Sequence, residues 1–166
     1  MTLLIISDSH GRVDRLRSVF ELHKNADALI FLGDGLTDLD RAGVNDYRFT
    51  VFALRGNCDF RSTFLSAEVA KVEKISIGGY NILLTHGDLY GAKSGDGALI
   101  NLARRENADI LLFGHTHEPI GTYVPEKEYN LNKPMHLFNP GSLAEYSYGL
   151  CEIRNGQLLF SHGTAY

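Results

Sequence analysis

Cysteine is scarce in this chain: only Cys58 and Cys151 occur among 166 residues. That is too few for a disulfide framework, and two free thiols fit a reducing compartment. No apolar run approaches the roughly 20 residues needed to cross a bilayer. The opening stretch MTLLIISD lacks a basic lead, and its apolar run is short for a secretory signal, so a cytoplasmic location is expected. Basic runs are missing too, and the formal charge is −4. This argues against a large electrostatic footprint for duplex nucleic acid and against a membrane partner. No P-loop, G-x-S-x-G elbow or G-x-G-x-x-G turn is present. Internal repeats, low-complexity tracts and linkers are absent as well. What remains is ordinary globular composition, 44% apolar and 22% charged, in a length suited to one domain over residues 1–166. Such a chain buries roughly two-thirds of its unfolded surface.

Apolar periodicity sets out the elements. Leu3–Ser7 reads as a strand, and Val13, Leu16 and Phe20, with Val19 beside them, give helical spacing over Arg12–His23. Strands follow at Asp27–Leu32 and Arg48–Arg55, with a short polar helix or loop at Thr37–Arg41 between them. This β-α-β-α-β opening predicts a parallel sheet with helices on its faces. Lys74–Ile77 and Tyr80–Leu84 flank Gly78-Gly79, a hairpin signal. A helix over Asp96–Glu106 and a strand over Asp109–Phe113 come next. After His117 the pattern turns all-β, with strands at Ile120–Val124, Met135–Asn139, Ser147–Arg154 and Gln157–His162. Asn155-Gly156 marks the last hairpin, and Pro125–Pro134 reads as a polar, mobile loop. The expected fold class is α/β, a sandwich of two mixed β-sheets flanked by helices.

Five short stretches place metal-binding side chains at the ends of apolar runs: Asp8-Ser9-His10, Gly33-Asp34, Gly56-Asn57-Cys58-Asp59, Thr85-His86-Gly87 and Gly114-His115-Thr116-His117. Strands of one parallel sheet end along one edge, where α/β proteins build their sites. Two Asp, one Asn and four His would then converge. Oxygen and imidazole donors without thiolate suit a pair of divalent ions such as Mn, Fe or Zn. In an extended stretch, positions i and i+2 face the same way, so Asp8 with His10, and His115 with His117, are expected to project together.

In order and spacing these residues resemble the signature of the calcineurin-like metallophosphoesterases: D-x-H, G-D, G-N-H-D/E, H-G and G-H-x-H. The match runs from Asp8 to His117, and Asn139-Pro140-Gly141-Ser142 is similar to the NPGS turn of the compact bacterial and archaeal phosphodiesterases of that family. The resemblance implies that Asp8, His10 and His117 serve one ion, that Asn57, His86 and His115 serve a second, and that Asp34 bridges the two. It implies two divalent ions, Mn first with Zn, Fe, Ni or Mg as alternatives. It also implies hydrolysis of a small phosphodiester by a hydroxide held between them, with Asp34, Asn57 and Cys58 as the catalytic set. The alternative, from a retromer subunit of the same fold, is a non-catalytic scaffold that binds partner proteins. That subunit has lost some metal-binding histidines, whereas this chain keeps all of them. Larger relatives include nucleases. Relatives of this size form dimers or tetramers, so a homodimer or higher homo-oligomer is expected.

Cys58 departs from the pattern, since most of the family carries His there. A thiol with an ordinary pKa near 8.5 is a poorer proton donor at neutral pH than imidazole. The simpler reading of Cys58 is a small buried filler. Asp59 then serves to fix its loop. Asp88 is either a hydrogen-bond partner behind the site or a turn residue. His23, His136 and His162 read as structural or surface residues. Tyr90, Tyr123, Tyr129, Tyr146 and Tyr148 line a rim or an oligomer surface, or are half-buried β residues.

Overall fold

A computed structural model describes residues 1–59 and 69–166. Strand β1 (Thr2–Ile6) and helix α1 (Val13–Leu22) are followed by β2 (Ala28–Phe31), α2 (Leu36–Arg41) and β3 (Thr50–Ala53). Then come β4 (Val72–Ile77), β5 (Tyr80–Thr85), α3 (Gly97–Arg105) and β6 (Ile110–Phe113). The chain ends with β7 (Pro119–Val124), β8 (Met135–Pro140), β9 (Ser147–Arg154) and β10 (Gln157–Thr164).

The described residues form two five-stranded sheets, ordered β10-β9-β1-β2-β3 and β4-β5-β6-β8-β7. Each has a parallel centre: β1 runs parallel to β2 and β2 to β3 in the first, and β6 runs parallel to β5 and β8 in the second. Antiparallel β9 and β10 extend the first sheet on one side, and antiparallel β4 and β7 flank the second. The four late strands do not form a sheet of their own: β7 and β8 complete one sheet, β9 and β10 the other. Both tight turns are of the expected kind, with positive φ at Gly78, Gly79, Asn155 and Gly156.

The layers are helix, sheet, sheet, helix. Leu4, Ile6, Leu29 and Phe31 face Leu16, Val19 and Phe20 of α1 and Leu36 and Leu39 of α2. Their neighbours Leu3, Ile5 and Ile30 point the other way, to meet Ile82, Leu84, Ile110 and Leu112 between the sheets. On the far side Leu83 and Leu111 pack against Leu99, Ile100 and Ala103 of α3. Central strands buried on both faces explain why their sequences are continuously apolar rather than alternating. The segment read as a polar, mobile loop, Pro125–Pro134, carries a short turn at Glu128–Asn130 and anchors Leu131 in the α3 core. Tyr148 also belongs to a core, only 5% exposed, with its hydroxyl 2.9 Å from His23 Nε2.

Ile5 sits between the sheets with no exposure. Ile5→Ala is expected to cost about 3 kcal/mol and to lower the melting temperature by roughly 10 °C in a chain of this size, measured by thermal circular dichroism.

Candidate metal centre

The parallel strands of both sheets end at the same side, so the loops after β1, β2, β3, β5 and β6 meet there. From the first sheet come Asp8, His10, Asp34 and Asn57; from the second come His86, His115 and His117.

The donors fall into overlapping groups. Asp8, His10 and His117 form one, with Asp8 Oδ1 3.2 Å from His117 Nε2 and 3.6 Å from His10 Nε2. Asp34 and His86 lie with Asp8 in another, and Asp34 Oδ2 stands 3.4 Å from His86 Nε2 and 4.0 Å from His10 Nε2. One oxygen of Asp34 thus lies between the two groups. Asn57 Oδ1 is 3.2 Å from His86 Nε2, and the rings of His86 and His115 are 5.0 Å apart. All seven residues expected from the sequence are brought to this edge.

Convergence does not come from an extended backbone. Asp8, His10, Asp34, His115 and His117 all have φ between 43° and 68°. The left-handed region costs an L-residue roughly 1–2 kcal/mol, and strained backbone of this kind gathers at functional sites. The turn directs these side chains, where the sequence reading had used the pleat of a strand.

Two features fit the cluster to a cation. Asp8 Oδ1 is fully buried without a hydrogen-bond partner. His86 Nδ1 donates to the Leu32 carbonyl at 2.8 Å, which in the neutral ring leaves its Nε2 as an acceptor facing Asn57 Oδ1 and Asp34 Oδ2. His117 repeats the arrangement: Nδ1 donates to Glu145 Oε1 at 3.1 Å, and Nε2 faces Asp8 Oδ1. Acceptors aimed at acceptors repel unless positive charge lies between them. Burial alone would lift the Asp34 pKa, but the His86 contact and the Cys58 amide hold it well below the carboxylate range. Against its own burial, His86 is raised by Asp34 and Asp8, so without a cation a proton on Nε2 answers the same oxygens. His115 is lowered by burial and by the charge on His86.

The supports explain residues that the sequence left open. Asp59 accepts the amides of Asp34, Gly35, Leu36 and Gly56 at 2.8–3.0 Å, so it pins the Asp34 loop to the Asn57 loop. Close approach there requires Gly56, since a Cβ at that position would run into the Asp34 carboxylate. Asn139 donates to the Gly114 carbonyl and Thr116 Oγ1, both at 3.0 Å, and Ser142 Oγ donates to the Asp8 carbonyl at 2.9 Å. Asp88 is the partner of Lys71 Nζ at 3.2 Å. His162 Nε2 lies 2.8 Å from the Asn139 carbonyl, and His136 lies between Tyr123 and Phe160, so neither enters the cluster.

Cys58 is no buried filler. Its thiol is exposed and groups with His10 and Asp34. Partial desolvation against the loop, then Asp34, Asp59 and Asp8, push its pKa up to about 11. Sequence reasoning missed two residues. Asp38 is buried and accepts from Ser9 Oγ and the Gly11 amide; its position in a polar helical turn gave no signal. Glu145 reaches His117 from a turn that Arg15 clasps, donating to the carbonyls of Leu143 and Ala144 and stacking 3.5 Å over the Tyr146 ring.

A two-sheet α/β sandwich with carboxylate, amide and imidazole donors at one edge defines a metal-binding hydrolase class. The chain belongs to the calcineurin-like phosphoesterase superfamily, whose domain model matches residues 1–164. A probable metallophosphoesterase of Bacillus subtilis, YsnB, is 32% identical over 147 residues, 86% of this chain and 75% of the relative. The phosphodiesterase YfcE of Escherichia coli K12 is 28% identical over 162 residues, 87% of this chain and 80% of the relative. Among solved structures, an archaeal phosphodiesterase has a TM-score of 0.74 at 19% identity, covering 98% of this chain and 99% of its own. Vps29 of Entamoeba histolytica, complexed with zinc, has a TM-score of 0.70 at 21% identity over the whole of both chains. These two likenesses show the fold.

Glu145→Ala removes an exposed carboxylate that orients His117. It is expected to weaken metal affinity about 10–100-fold by calorimetry and to leave the melting temperature of metal-free protein unchanged. In that metal-free form the high Cys58 pKa keeps the thiol protonated at neutral pH. Its labelling by iodoacetamide should therefore climb about tenfold per pH unit from 7 to 10, followed by mass spectrometry, while buried Cys151 stays unlabelled.

Proposed function

We propose that this protein is a phosphodiesterase that works with two divalent metal ions, Mn first among them, on a small phosphodiester. The observation that carries the reading is Asp34 Oδ2, which lies between His10 on one side and His86 on the other. Asp8, His10 and His117 would hold one ion, Asn57, His86 and His115 the other, and Asp34 both. When bound, such a pair supplies a water of lowered pKa and neutralises charge on the phosphoryl oxygens.

The chain's own groups set the rest. Leu32 and Glu145 fix the tautomers of His86 and His117, so each presents Nε2 inward. Asn57 contributes a neutral oxygen, which leaves more positive charge to face the substrate. In the metal-free protein the Cys58 thiol is uncharged at neutral pH, and as a thiol it would be a weak proton donor to a departing alkoxide. A monoester carries more charge and calls for more cationic contact than a thiol provides, which favours diesters with good leaving groups. That a relative in E. coli is named a phosphodiesterase supports this preference. The chain is taken to act as one domain over residues 1–166. Among the described residues no helix is long and apolar enough to cross a membrane, and two free thiols suit a reducing cytoplasm.

Metal-stripped protein, resupplied with Mn, Zn, Mg or nothing, should hydrolyse a chromogenic phosphodiester faster than the matching monoester. Asp34→Asn should reduce turnover by more than about a hundredfold. Equal rates on both esters would remove the diester preference. Metal uptake without turnover of either ester would replace the enzyme by a metal-binding scaffold that shares the fold.

A further inference from the structure

Among the described residues four strands form the sheet edges: β10 and β3 in one sheet, β4 and β7 in the other. An unpaired edge invites another strand, and proteins guard against this with short strands, charge or proline. On one side of the sandwich both guards are present, since β3 has four residues and β4 carries Glu73 and Lys74. The other side is different. Strand β10, Gln157-Leu-Leu-Phe-Ser-His-Gly-Thr164, has eight residues with neither proline nor any Asp, Glu, Lys or Arg. Neighbouring β7, Pro119–Val124, has a proline only at its start and is also free of those four residues. Strand β3 also lacks these residues but is only four residues long, so among the described residues β10 is the edge that combines length with their absence.

The backbone of β10 pairs along its full length with β9 on one side, from Gln157 opposite Arg154 to Thr164 opposite Ser147. Its other side has no strand partner among the described residues, leaving about 26 Å of open edge. Two grooves run between β10 and β7, of about 690 Å³ and 540 Å³, sharing Tyr123, His136 and Leu158. Leu159 and Tyr123 stand at 63% and 57% exposure beside them. At one end the ionic groups are already paired, Lys133 with Asp109 and Arg154 with Glu152.

We propose that β10 is the homodimer interface of this protein, pairing antiparallel with β10 of a second copy across a two-fold axis. Two considerations favour a second copy over a foreign peptide. The net charge is −4, so two copies repel, and they approach at least cost along an edge that bears no Asp, Glu, Lys or Arg. The strand offers no charge with which to select a foreign sequence, whereas antiparallel pairing with itself sets each free donor against an acceptor of the same strand. Leu159 would be covered in the same step. The proposal is independent of the reaction.

The test combines light scattering on a sizing column with hydrogen exchange on the full chain across a concentration series. Wild type should run as a dimer, and amides of β10 should exchange at least tenfold more slowly at high concentration than at low. Leu159→Lys and Ser161→Lys place a charge on the outer face of the edge and should give monomers with near-wild-type circular dichroism. Glu73→Lys, a larger charge change on the guarded side, should remain dimeric. A wild-type monomer at tens of micromolar would overturn the proposal. So would a dimer that survives both lysine substitutions, or β10 exchange that ignores concentration. If Leu159→Lys fails to fold, Ser161→Lys and the wild-type exchange series still decide.

Discussion

Lone pairs pointed at lone pairs are the constraint on which this molecule depends. Asp8 Oδ1 has no donor, and His86 Nε2 faces two oxygens. A buried polar atom left unpaired costs roughly 1–3 kcal/mol, and the left-handed turns beneath these side chains add to that. No local preference of the loops would produce such an arrangement. It survives because the surrounding structure leaves the loops no alternative.

The restraint is layered. Continuous apolar strands set β1, β2, β5 and β6 into two stacked sheets whose parallel ends coincide. Buried carboxylates and amides then fasten each loop to the next: Asp59 joins the second and third, Asn139 and Ser142 join the β8 turn to those after β6 and β1, and Asp38 holds the first. Only then do the histidines receive their orientation, from the Leu32 carbonyl and from Glu145. Packing thus fixes backbone, backbone fixes tautomer, and tautomer fixes which nitrogen faces the centre.

Much of this was legible in the amino-acid order. Apolar runs followed by Asp, Asn or His marked the strand ends, and the seven residues that gather at the sheet edge all stand in those positions. Gly78-Gly79 and Asn155-Gly156 announced their turns because few other residues accept positive φ. Three things were not legible. The division of the late strands between two sheets depends on long-range pairing, which alternation does not encode. The left-handed conformations at Asp8, His10, His115 and His117 carry no signal, because Asp and His are also common in ordinary loops. Glu145 and Asp38 act through contacts 28 and 29 residues away in the chain, and nothing in their neighbourhoods distinguishes them from surface carboxylates. Cys58 was visible as a departure, but its exposure and its three carboxylate neighbours emerged only in three dimensions.

The donors are shared between the sheets, with Asp8, His10, Asp34 and Asn57 on one and His86, His115 and His117 on the other. Between the sheets lies apolar packing that carries no direction and tolerates small slippage. A cation gripped from both sides would act as a rivet through the open end of the sandwich, converting a greasy contact into a jointed one. Metal supply would then govern endurance as well as chemistry. A starved molecule would gape first at its working edge and meet proteases there, while its metal-filled counterpart stays shut.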